Sequence, residues 1–150
     1  MDATRIFDVY TGPLPSGGGS LQSILRDTDH LLGRFGEAAW LWAEAKARMG
    51  FSLRPDADRV WAMLQGGGWV VLHDLRESSP SLGRTQVVRL DRQPLGLLLI
   101  PFGVAAGLQV MEGPQAGMLI LSTYALGDSA PEQILPVEDR AIAFDWSSLG

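Results

Sequence analysis

Along the first third of the chain, positions Leu21, Ile24, Thr28, Leu31, Phe35, Ala38, Trp42, Ala45 and Met49 recur at alternating steps of three and four. That is the period of a helix face, and it predicts a long amphipathic helix over 21–49. Ser20 supplies an N-cap, and Gly50 stands just past the last turn. Leu25, Leu32 and Ala39 widen the stripe, while Gly33 and Gly36 predict a kink or a break. Leu25, Leu32 and Leu41 fall where a coiled coil carries charge, so the stripe reads as the core face of a globular domain. A second, shorter helix is expected after Pro55, with Asp56 and Asp58 at its positive end. Ala57, Val60, Trp61 and Leu64 form its apolar face, and Gln65-Gly66-Gly67-Gly68 stops it.

From Trp69 the pattern becomes strand-like. Residues 69–76, 84–91 and 95–102 read as strands, with turn residues at 78–83 and 91–94. Residues 107–112 and 117–126 flank Gly113-Pro114-Gln115-Ala116 as a hairpin. Residues 127–136 read as a loop and 140–146 as a last strand. Near the start, 5–10 alternates enough for a short strand, and 11–20, with two prolines and four glycines, reads as a loop. Helices followed by strands predict a single α+β domain over 1–150. In it, N-terminal helices, one long or kinked and one short, pack on a mainly antiparallel sheet of about five to six strands.

Residues 38–43 (AAWLWA) have no polar side. An all-apolar helix must be covered all round, so Trp40, opposite the stripe, and Leu41, on its flank, are expected to anchor a protein partner.

Composition narrows the function classes. A net charge of −5 argues against nucleic acid and suits a basic protein partner. There is no cysteine, hence no disulfide, thiolate nucleophile or cysteine metal site. Eleven of the twelve basic residues are arginine, which fits a GC-rich bacterial or phage genome. The start MDATRIFDVY lacks the basic-then-apolar form of a secretory signal, and the apolar run 94–126 is broken by glycine and proline. A cytoplasmic protein without a membrane span is expected.

Chemical signatures are few. The triple glycine at 17–19 lacks the Gly-Lys-Ser/Thr ending of a phosphate cradle. Asp27, Asp29 and His30 are too few ligands for zinc and fall off the apolar stripe. His73 shares a strand face with Trp69, Val71 and Leu75, and Asp74 points the other way. Ser78, Ser79 and Ser81 sit in a turn without an assigned base, and Glu138-Asp139-Arg140 reads as a surface salt bridge. No catalytic, cofactor or metal residue is assigned. The preferred reading is a small acidic non-enzymatic protein-binding protein of adaptor, chaperone, immunity or viral structural type that also self-associates. One alternative is a small-molecule binding domain with an apolar cavity lined by 95–111. The other is an enzyme using His73 as acid–base residue, with Asp27, Asp29 or Glu112.

Overall fold

A computed structural model describes residues 5–15, 19–91 and 96–149. The described residues contain ten strands and no α-helix. In chain order they are β1 (Tyr10–Pro13), β2 (Glu37–Ala43), β3 (Arg48–Leu53), β4 (Arg59–Gln65) and β5 (Gly67–Asp74). Then come β6 (Thr85–Asp91), β7 (Gly96–Ile100), β8 (Val104–Val110), β9 (Ala116–Ser122) and β10 (Gln133–Leu135). They form two five-stranded antiparallel sheets, ordered β1-β7-β4-β9-β2 and β10-β3-β8-β5-β6. The arrangement is a jelly-roll-like sandwich, not the expected α+β layer of helices on a sheet.

The helical reading fails for a physical reason. In β2 the side chains alternate, with Glu37, Ala39, Leu41 and Ala43 more buried than Ala38, Trp40 and Trp42. A strand with apolar residues on both faces looks like an apolar helix when only composition is counted. Residues 21–32 are irregular apart from a short 3-10 turn at Asp27–Asp29. Ile24, Leu31 and Leu32 instead cover the outer face of the first sheet, over Val60, Ala62 and Leu97. The second expected helix, after Pro55, is strand β4.

The strands expected from 69 to 126 coincide with β5 to β9, whereas 140–146 is not a strand. That stretch and the 3-10 turn Trp146–Leu149 cover the outer face of the second sheet. The expected loop 127–136 contains β10, and the expected strand at 5–10 is instead β1, three to five residues later. The expectations at 16–18 and 92–95 lie outside the described residues.

Three apolar layers result. Between the sheets, Met63, Val70, Leu72, Leu98, Ile100, Leu108 and Met118 are buried. Outside the second sheet, Phe51 packs on Trp146 with ring centroids 5.6 Å apart, and Trp146 meets Phe144 edge-on at 5.3 Å. Gly107 leaves room for both rings to approach the sheet closely. A Cβ there would stand 3.0 Å from Trp146 and 3.1 Å from Phe51. At one end of the sandwich, Asp74 is fully buried and accepts hydrogen bonds from Arg76, Ser79 and Ser81. Arg76 and Ser81 in turn hold Phe7, which ties the N-terminal segment down. No helix among the described residues is long and apolar enough to cross a membrane.

Candidate functional site

The two sheets do not meet everywhere. Toward the β2 and β3 side, a cavity of about 320 Å3 opens between them, a size that suits a small-molecule site. Strand alternation decides what lines it, because only every second residue faces inward. The register of the first sheet sets the cavity out in transverse rows. Trp61, Ile120 and Ala39 form an apolar row across β4, β9 and β2. The neighbouring row is polar: Arg59, Ser122 and Glu37. The second sheet adds Ser52 from β3, with Arg54 just after that strand and Glu132 just before β10. The cavity therefore has apolar walls and one charged end.

Arg59 is 3% exposed and rigidly held. Its Nη1 donates to Ser52 Oγ at 2.7 Å, and its Nη2 to the carbonyl oxygens of Val104 at 3.1 Å and Ser52 at 3.3 Å. Its guanidinium lies 5.6 Å from the centre of the Trp61 ring. Burial above all, helped by the nearby charge of Arg54, outweighs the upward pull of Glu132 and lowers its pKa to about 10. The group stays cationic at neutral pH. Arg54, also buried, donates from Nη2 to the Tyr124 carbonyl at 2.9 Å and to Ser129 Oγ at 3.2 Å. Among the described residues, neither guanidinium has a carboxylate within 4 Å.

Three buried side-chain polar atoms in the described residues lack a hydrogen-bond partner: Arg54 Nε, Arg59 Nε and Trp61 Nε1. All three are donors, and all three belong to side chains that line this cavity. A buried donor left unmade costs about 1–3 kcal/mol, and more when charged. Two guanidinium groups that no carboxylate contacts, at one end of this cavity, suit a ligand rich in acceptor oxygens.

The residues singled out by sequence fall elsewhere, with one exception. Leu41 lines the cavity, while its neighbour Trp40 points outward and is 47% exposed. The two expected anchors thus face opposite ways. Trp42 shares the outward face at 66% exposed. His73 lies on the outer face of the second sheet, its Nδ1 2.8 Å from Thr85 Oγ1, and does not line the cavity. Glu112 pairs with Lys46 at the surface, and Asp29 with Arg26. No group of three or more metal-ligating side chains occurs among the described residues. Of the stretch 95–111 expected to line an apolar cavity, Ala106 and Leu108 do so.

Sequence reading missed Glu37, Ser52, Arg54, Arg59 and Glu132. A signal was present: Arg59 and Ser52-Leu53-Arg54 place polar groups at period 2 beside apolar neighbours. Reading this region as helix and linker hid that alternation.

The model for the family described as dTDP-4-dehydrorhamnose 3,5-epimerase matches residues 49–149. The chain is similar to the spore coat polysaccharide biosynthesis protein SpsL of Bacillus subtilis (strain 168), at 32% identity over 131 residues and 87% of each chain. Its fold is that of a dTDP sugar isomerase from Desulfovibrio desulfuricans, with a TM-score of 0.82 and 24% identity over 95% of this chain and 92% of that one. A dTDP-6-deoxy-D-glucose-3,5-epimerase from Legionella pneumophila, solved with dTDP-4-keto-L-rhamnose, gives 0.80 and 22% over 95% and 80%. These findings overturn the expectation of a non-enzymatic protein-binding protein, because the matched family is one of sugar epimerases. The chain belongs to the dTDP-4-dehydrorhamnose 3,5-epimerase family and is an enzyme.

Proposed function

We propose that this chain inverts a carbon next to the carbonyl of a 4-keto-6-deoxy sugar carried on a nucleoside diphosphate, in the cavity between its sheets. One observation carries the reading: Arg54 and Arg59, both buried and, among the described residues, without a carboxylate within 4 Å, stand at the charged end of an otherwise apolar cavity. Family membership supports it, as does the keto-sugar nucleotide bound by the Legionella relative.

The chemistry follows from carbonyl acidity. Removing a proton from the carbon beside the carbonyl drives an electron pair onto the carbonyl oxygen. A fixed cation beside that oxygen stabilises the enolate, and a preorganised donor needs no rearrangement during the step. Arg59 suits the role because Ser52 and Val104 lock its Nη atoms. Trp61 and Ile120 offer an apolar wall to the carbon side of the sugar and keep water away. A proton returned to the opposite face gives the epimer, with no net oxidation and no further reactant.

The reaction is tested in D2O with a dTDP-linked 4-keto-6-deoxy sugar, followed by proton NMR. Loss of signal at a carbon flanking the carbonyl, together with growth of the epimer, is expected. Unchanged spectra would contradict the reading.

Two placements accompany it. A nucleoside diphosphate is too highly charged to cross a bilayer unaided, so the enzyme works where the sugar is activated, in the cytoplasm. Self-association runs through β2, an edge strand whose outward face shows Trp40 and Trp42.

A further inference from the structure

Resting on that reaction, we infer that Glu37 and Glu132 are its proton-transfer pair, acting on the sugar carbon from opposite faces. Elimination leads there. The described lining contains no histidine, tyrosine, lysine or cysteine. Its two serine hydroxyls are committed: Ser52 Oγ accepts from Arg59, and Ser122 Oγ donates to the Tyr124 carbonyl at 2.9 Å. Two carboxylates remain.

Their placement fits inversion. Glu37 belongs to β2, the edge strand of the first sheet, and Glu132 adjoins β10, the edge strand of the second. One carboxylate thus enters the cavity from each sheet, and a ligand between the sheets meets them on its two sides. Within the first sheet, Glu37 and Arg59 stand two strands apart in one row, separated by Ser122. Two strand spacings are about 10 Å, room for a carbonyl-bearing carbon between base and cation. Glu37 Oε2 accepts the Leu126 N–H at 2.9 Å, which aims the side chain and leaves its other oxygen for the substrate.

The steps balance. Glu37 takes the proton, and the C–H electron pair forms the enolate beside Arg59. Glu132, carrying a proton from solvent, gives it to the same carbon on the other face. Exchange with water then resets both carboxyls.

The test uses Glu37→Gln and Glu132→Gln in the full chain, each confirmed as folded by its thermal melt. Glutamine keeps an acceptor for the Leu126 N–H. Each of the two epimeric dTDP-linked 4-keto-6-deoxy sugars is supplied separately in D2O. Inversion is expected to fall about 10²–10⁴-fold in both variants. Deuterium still enters one epimer without inversion in Glu132→Gln, and the other epimer in Glu37→Gln. Folded variants that invert at the wild-type rate, or that lose exchange from both epimers alike, would overturn the pair. A wild-type protein that binds the sugar but exchanges no proton would overturn the proposed reaction along with it.

Discussion

Arg59 shows how a single residue can serve function at some expense to stability. It is a buried cation with no carboxylate in contact, and a buried charge is worth keeping for stability only when well paired. Arg59→Met, of similar length, is therefore expected to leave the melting temperature nearly unchanged while kcat falls about 10²–10³-fold. Calorimetry and steady-state kinetics on one preparation check both halves. A large loss of stability with kcat retained would make Arg59 a structural strut between β4 and β8. Residues of this kind were poorly legible in the sequence. An arginine opening an apolar strand looks like an ordinary surface charge until the register shows which way it points.

At the level of elements, legibility followed physical distinctness. β5 to β9 were readable because branched apolar residues run between glycine, proline and serine turns, and each run sits in one strand. β2 and β3 were not. Three separate pieces (the covering segment 21–32, then two strands) place apolar residues at spacings that together imitate one helix. The alternation of Trp40, Leu41 and Trp42 was the stronger clue, since a strand sends Leu41 into the cavity and both indoles outward. That outward face at the edge of the first sheet leads to a prediction. Trp40→Asp should lower the mass measured by light scattering from that of an oligomer to that of one chain, with folding retained. A wild-type protein already of monomer mass, or a variant with unchanged mass, would contradict association through β2.

For the whole molecule, the buried titratable groups on the second sheet set the response to acid. Burial lowers the His73 pKa below its ordinary value, although Asp74 and Asp139 oppose this. The unfolded chain therefore takes up that proton first. The stabilisation is complete above about pH 6.5 and is lost as pH falls from there toward the folded value. Asp74 acts lower on the scale. Burial alone would raise its pKa, but hydrogen bonds from Arg76, Ser79 and Ser81 outweigh this and hold it well below the carboxylate range. Its contribution is full above about pH 4 and disappears as pH falls through the depressed value. Melting temperature should drop between pH 7 and pH 5, and less steeply in His73→Gln. An identical slope in the variant would show that His73 does not carry the effect.

The account as a whole depends on the sugar binding between the sheets, beside the N–H groups of Arg54, Arg59 and Trp61. A titration followed by proton–nitrogen correlation NMR observes those N–H groups themselves. On adding a dTDP-linked 4-keto-6-deoxy sugar, the Nε–H signals of Arg54 and Arg59 and the indole N–H of Trp61 should shift together and saturate at one affinity. Signals that stay in place while resonances elsewhere on the molecule respond would mean the ligand binds outside this cavity, and the assignment of the site would be wrong.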